Sequence, residues 1–136
     1  MTRHDGVFPG RMDAFPRLAV LAEQAAAAAG FPRDDMLRLR LVIEELFTNT
    51  VMHGHGAASE APIRLTLESH AGRVAVTYED TGPPFDPTTV AASEPPGRSP
   101  GGLGLVLVKQ LGRELTYTRL PDHNRLTLVI ERAGPR

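Results

Sequence analysis

Val74-Ala75-Val76-Thr77-Tyr78-Glu79-Asp80-Thr81-Gly82 decides how this chain folds. Val74, Val76 and Tyr78 alternate with smaller or polar residues, the period-two signature of a strand with one buried face. The same alternation carries Asp80 onto the side of Val74, Val76 and Tyr78, the core side. A carboxylate there must find donors, because burying an unpaired charge is very costly. Gly82 lets another group approach the backbone closely. By itself the run is also an ordinary Asp-x-Gly turn just past a strand end.

Upstream, Ile63, Leu65 and Leu67 alternate in the same way, and Ala71-Gly72 separates the two runs as a turn. An antiparallel hairpin is expected. Before it lie two helical patterns. In residues 12–29, Leu18, Leu21, Ala22 and Ala25 recur at helical spacing, and Gly30 and Pro32 stop the helix. Asp34 or Asp35 can cap the second, over about 35–53. Its apolar face is Leu39, Val42, Ile43, Leu46 and Thr50.

Downstream, six of the twelve prolines fall at 83, 84, 87, 95, 96 and 100. A connection this long within a compact domain is usually a lid, a binding loop or disorder. Gly101-Gly102-Leu103-Gly104 then opens a third helix, which Gly112 ends. Residues 115–120 and 125–131 read as two more strands joined by the turn Pro121-Asp122-His123-Asn124, and a short strand near 5–9 is expected at a sheet edge. The expected fold is an α+β two-layer sandwich with a mixed, mostly antiparallel sheet and helices on one face. Residues 1–136 fit a single domain.

Composition limits the function. Fifteen Lys and Arg against 16 Asp and Glu give a net charge of -1, so no bulk field favours nucleic acid or an acidic membrane surface. Aromatic residues are only 5%, which weakens a base-stacking role. The absence of cysteine excludes disulfides and thiolate metal sites and agrees with a reducing compartment. No stretch approaches the length of a membrane helix, and the first ten residues carry no signal-peptide pattern. A cytoplasmic location is expected.

Glu45, Asn49 and His53 are spaced i, i+4, i+8 and share a stripe of the second helix. An amide oxygen can ligate a hard cation such as Mg²⁺, and a carboxylate can take a proton from an attacking hydroxyl. A solvated polar face produces the same spacing. Asn is mildly unfavourable inside a helix, so its presence asks for a reason. The glycines at 101, 102 and 104 let backbone N–H groups converge at a helix start, an arrangement suited to phosphates. A flexible hinge reads equally well. No Gly-Lys-Ser/Thr follows, so this is not a P-loop, and the spacing is not that of a dinucleotide fingerprint. His53-Gly54-His55 reads as a helix end rather than a metal pair.

Together, Glu45-Leu-Phe-Thr-Asn49, Asp80-Thr-Gly82-Pro-Pro-Phe-Asp86-Pro and Gly102-Leu-Gly104-Leu resemble the GHKL (Bergerat-fold) ATPase superfamily. More narrowly, the chain looks like the bacterial anti-sigma-factor serine/threonine kinases of the RsbW type. The Pro-Phe-Asp-Pro extension and the closing Asn124-Arg-Leu-Thr127-Leu carry that narrower likeness, which spans about residues 8 to 131.

The resemblance implies ATP and Mg²⁺ as cofactors. Asn49 would coordinate the Mg²⁺, Glu45 would be the general base, and Glu44 would be a surface residue. Asp80 would bond the adenine amino group, with Gly82 leaving space for the ring. Gly102, Leu103 and Gly104 would lie against the phosphates, and residues 83–101 would form the ATP lid. Thr127 would sit near Asp80 and the adenine, yet alternation sets it opposite Leu126, Leu128 and Ile130. Either the sheet is buried on both faces or that assignment fails. Relatives often carry an Arg before the glycine pair, where Pro100 and Gly101 stand here. Arg98 could substitute, or be a solvated charge.

The implied activity is phosphorylation of a STAS-type anti-anti-sigma antagonist by a kinase that also sequesters a sigma factor. The alternative is a non-catalytic, nucleotide-dependent partner-switching module. A homodimer is implied, with no direct nucleic-acid or membrane contact. The ATPase half of a sensor histidine kinase ranks lower, because the chain lacks room for a dimerising phospho-acceptor helix pair.

Overall fold

The computed structural model describes residues 1–53, 58–84, 86 and 102–133. Among these residues five strands and three α-helices run in the order β1 (Thr2–Arg11), α1 (Phe15–Ala28), α2 (Arg33–His53), β2 (Ala58–His70), β3 (Arg73–Asp80), α3 (Gly102–Leu111), β4 (Arg113–Arg119) and β5 (Asn124–Glu131). The sheet order is β1-β2-β3-β5-β4, and all four pairings are antiparallel. The helices cover one face.

The hairpin follows the alternation that predicts it. Ile63, Leu65 and Leu67 on β2 and Val74, Val76 and Tyr78 on β3 are all buried. Leu126, Leu128 and Ile130 on β5 continue that layer through the register pairs Tyr78↔Leu126, Val76↔Leu128 and Val74↔Ile130. Burying each such side chain contributes roughly 1.5–3 kcal/mol. Gly72 has φ +79, the left-handed conformation its turn needs. Its N–H reaches Ala29 O at 2.9 Å, and its carbonyl takes Arg132 N–H at 2.8 Å, so the end of the first helix, the hairpin turn and the end of β5 meet.

The helices present Leu18, Ala22, Ala25 and Ala26 of α1 and Leu39, Val42, Ile43, Leu46, Phe47 and Val51 of α2 to the sheet. Phe15 and Phe47 join the two helices with ring centroids 6.1 Å apart. The first helix of the sequence reading starts as a 3-10 turn over Met12–Ala14 before α1 proper. Asp34 and Asp35 lie within the first turn of α2 rather than before it. Asp35 is buried, and its Oδ1 accepts from Arg38 at 3.1 Å and from Ala133 N–H at 3.3 Å. It therefore ties the end of the sheet to the start of α2 instead of capping the helix.

The edge strand β1 is longer than the expected 5–9. It pairs along β2 from Thr2↔Ser69 to Arg11↔Ala58, with an irregularity between Pro9 and Arg11. Pro9 faces Pro62 where β2 has no partner on its other side. A residue without an N–H is tolerated there. The edge strand and the nearby chain end of β3 bring Gly10, Ala61, Pro62, Ile63 and Asp80 together beside α2.

Candidate functional site

Asp80 ends β3 on the helix-covered face. Its Oδ1 accepts Gly82 N–H at 3.0 Å and the Asn124 amide at 2.9 Å. Its Oδ2 lies 3.2 Å from Thr50 Oγ1. An ionised carboxylate has about four acceptor positions. Among the described residues three are engaged, which leaves one on the Oδ2 side. Asp80 and Thr50 line a small open depression with Gly10, Ala61, Pro62, Ile63 and Thr81. The cleft can offer an incoming N–H donor a fixed carboxylate oxygen against apolar walls.

Thr50 makes that carboxylate part of α2. Its hydroxyl accepts the Tyr78 O–H at 2.7 Å, and its own proton lies between Leu46 O at 3.1 Å and Asp80 Oδ2 at 3.2 Å. Tyr78 is buried, and burial pushes its phenol well above the usual range, against a smaller opposing effect of the Thr50 hydrogen bond. The nearby Asp80 charge raises it further. Tyr78 therefore stays protonated and acts as a donor.

Asn49 adjoins Thr50, and Glu45 stands one turn earlier. Both are half-buried, and among the described residues neither side chain has a hydrogen-bond or ionic partner. Burial raises the Glu45 carboxyl above its ordinary value, and the Glu44 charge adds to the effect. Glu44 is itself half-buried, short of the surface position expected for it. An unengaged amide oxygen suits a hard cation. Among the described residues no three His, Cys, Asp or Glu side chains cluster as a metal cage. A cation at Asn49 would thus complete its shell with oxygens of a bound ligand, as Mg²⁺ does with phosphates.

The third helix starts at Gly102, which puts Gly102, Leu103 and Gly104 in its first turn, and it packs against α2. Free amides at such a start favour anions. Arg98, and the expected lid over 83–101 apart from Pro83, Pro84 and Asp86, lie outside the described residues.

Thr127 is not beside Asp80. It pairs with Thr77 and Thr116, on the sheet face opposite Leu126 and Leu128. Among the described residues no helix covers that face, although Thr66 on it is buried. Asn124 occupies the place expected of Thr127, since β5 pairs Asp80 with Asn124 and shares its face. The sequence shows only its face, since Asn124 has the parity of Leu126, Leu128 and Ile130; its place beside Asp80 follows from the pairing of β5 with β3.

A donor-accepting acid on a central strand, tied to a helix bearing an amide and a carboxylate, defines a Bergerat-type α+β nucleotide-binding ATPase fold. The chain belongs to the histidine kinase-like ATPase domain family, whose model matches residues 8–130. It is 36% identical over 96 residues to the serine/threonine-protein kinase BtrW of Bordetella bronchiseptica, covering 67% of each chain. The structure is similar to the RsbU and RsbW domains of a Mycobacterium tuberculosis protein, at TM-score 0.69 and 17% identity, over 99% of this chain and 34% of that one. It is also similar to the histidine kinase domain of a blue-light-activated histidine kinase from Erythrobacter litoralis, at TM-score 0.55 and 21% identity, over 90% of this chain and 61% of that one. At these identities the two structures support the fold, and BtrW, a serine/threonine-protein kinase by name, supports a likeness to that class of kinase. Among the described residues no helix is long and apolar enough to cross a membrane.

Proposed function

We propose that this chain is an ATP-dependent protein-serine kinase of the partner-switching type. The observation that carries the reading is the bond from Thr50 to Asp80, which fixes the base-binding acid to the helix that bears Asn49 and Glu45. At about 1.5 Å rise per residue, Glu45 lies about 7.5 Å along the axis from Thr50. One rigid element thus serves both ends of a nucleotide. The relationship to BtrW, a serine/threonine-protein kinase by name, supports the same reaction here.

Asp80 accepts the adenine amino group at Oδ2, and Gly82 keeps the ring's approach free of a side chain. Asn49 holds the Mg²⁺ that, when bound, offsets charge on the phosphates. The first turn of α3, with Gly102, Leu103 and Gly104, supplies amides to the phosphate oxygens, and Arg98 adds a cation. The serine Oγ of the antagonist attacks the γ-phosphorus as the bond to the β–γ bridging oxygen breaks. Glu45 takes the serine proton, and ADP leaves. The acceptor is a STAS-type anti-anti-sigma protein, and the same kinase sequesters a sigma factor. The protein works in the cytoplasm as a homodimer, without binding nucleic acid.

The alternative, a nucleotide-dependent module without phosphotransfer, would share the Asp80 cleft but have no use for a carboxylate with a raised pKa at Glu45. The test is incubation of the purified chain with γ-labelled ATP, Mg²⁺ and a STAS-type protein, alongside calorimetry with ATP. Label on an antagonist serine supports the kinase. Binding without transfer favours the alternative, and no ATP binding overturns both.

A further inference from the structure

Asn124 is 7% exposed, and its amide joins five groups from three parts of the fold. Its Nδ2 faces Asp80 Oδ1 at 2.9 Å, Pro83 O at 3.0 Å and Gly82 O at 3.2 Å. Its Oδ1 receives the Tyr117 O–H at 2.5 Å and Arg119 Nη1 at 3.3 Å. Arg119 also donates to Gly82 O at 2.8 Å. The amide orientation follows from the chemistry of these neighbours. A guanidinium has no acceptor and a carbonyl has no donor, so the oxygen must face Arg119 and the nitrogen must face Gly82 and Pro83.

One consequence concerns the carboxylate. With Asn124 and Gly82 both on Oδ1, that oxygen is filled, and the unfilled position falls on Oδ2, beside Thr50. A second consequence concerns the backbone. Asn124 and Arg119 grip Gly82 and Pro83, so the chain leaving β3 is held in the same network that holds the acid. Removing the amide would leave Oδ1 held by the Gly82 N–H alone, loosening the carboxylate and weakening the distinction between its two oxygens toward a ligand.

We propose that Asn124 is a positioning residue that sets the base selectivity of the site, by orienting Asp80 so that one defined oxygen meets the 6-amino group of a purine. The inference rests on Asp80 being the base acceptor. Side chains of β4 and β5, far along the chain from the acid, would thereby govern which nucleotide is accepted.

The experiment is calorimetry of the full chain with ATP·Mg²⁺ and with inosine triphosphate·Mg²⁺, which carries a carbonyl in place of the amine. Wild type should prefer ATP. A wild type that binds both equally refutes the acceptor role of Asp80 itself. Asn124→Leu should lower ATP affinity by about tenfold, the scale of one charge-assisted hydrogen bond, and change inosine triphosphate affinity by less than about threefold. The preference then shrinks. Equal loss for both nucleotides, or an unchanged preference, overturns the role of Asn124 while leaving Asp80 intact. Arg119→Met alters an exposed side chain and keeps the test open if Asn124→Leu does not fold. It should reduce the preference by about threefold, and an unchanged preference there overturns the proposal.

Discussion

Tyr78 on β3 donates its hydroxyl to Thr50 on α2 at 2.7 Å, across the interface between the sheet and the helix layer. Thr50 then stands 3.2 Å from the Asp80 carboxylate. Thr50→Val keeps the shape of the side chain but strands a buried phenol and removes one donor from Asp80. The expected cost is about 1–3 kcal/mol of folding stability. Tyr78→Phe removes the phenol and should cost less, about 0.5–1.5 kcal/mol. Urea titration of both variants and of the double mutant checks this. The double mutant should cost less than the sum of the two, because a single hydrogen bond joins the pair.

That bond also shows what the sequence can and cannot convey. The helical stripe of Glu45 and Asn49 and the strand parity of Asp80 are local periodicities, so they read directly from the chain. Which strand lies next to Asp80 is not local. The hairpin β4–β5 is legible, but nothing near it says that β5 rather than β4 inserts beside β3. Without that insertion Asn124 has no visible link to Asp80, and Thr127 drew the assignment by its family likeness. The full length of β1 is hidden for a different reason. Gly6, Pro9 and Gly10 interrupt its pattern, and only pairing along the whole of β2 holds it extended.

Asp80→Asn separates charge from shape. The amide oxygen can replace Oδ1 and keep both the Gly82 and Asn124 donors, which leaves the amide nitrogen at the Oδ2 position. Thr50, which donates to Oδ2 in the wild type, can instead accept there and keep its own proton on Leu46 O, so the fold should survive. The cleft now presents a donor where an adenine amino group also brings a donor. ATP affinity should fall by at least about a hundredfold, the combined effect of a lost charge-assisted bond and an unpaired donor. Calorimetry beside a thermal melt checks it. Near-native affinity in a folded variant removes Asp80 from base recognition.

Glu45→Gln should lower phosphotransfer by about 10²–10⁴-fold with ATP affinity maintained, as expected of a lost general base. The pH dependence gives an independent check. A base works deprotonated, and burial together with Glu44 raises the Glu45 carboxyl. The acidic limb of the rate profile should therefore lie above the ordinary glutamate range. Glu44→Gln removes the neighbouring charge and should move that limb to lower pH without abolishing transfer. A limb that stays in place shows that another group controls the rate.

His123 gives a pH dependence of the opposite kind, in stability rather than rate. Its Nδ1 lies 2.6 Å from Asp122 and its Nε2 lies 3.0 Å from Glu79, which also accepts from Arg125 at 3.2 Å. The Asp122 hydrogen bond is the largest influence raising the imidazole. Partial desolvation opposes it, and Glu79 assists through its own bond and charge. Asp122 is lowered in turn, first by the same hydrogen bond. A histidine raised in the folded state binds its proton more tightly there than in the unfolded chain. Its contribution is complete below about pH 6.5, the ordinary imidazole value, and fades as pH rises through the folded-state value. The melting temperature of wild type should decline over that window, and His123→Gln should flatten the decline. Because the turn carrying His123 also carries Asn124, the same variant should leave ATP affinity unchanged at high pH, where the wild-type imidazole is neutral as well. A profile unaltered by the substitution would show that the ion pairs at this turn contribute nothing measurable to folding.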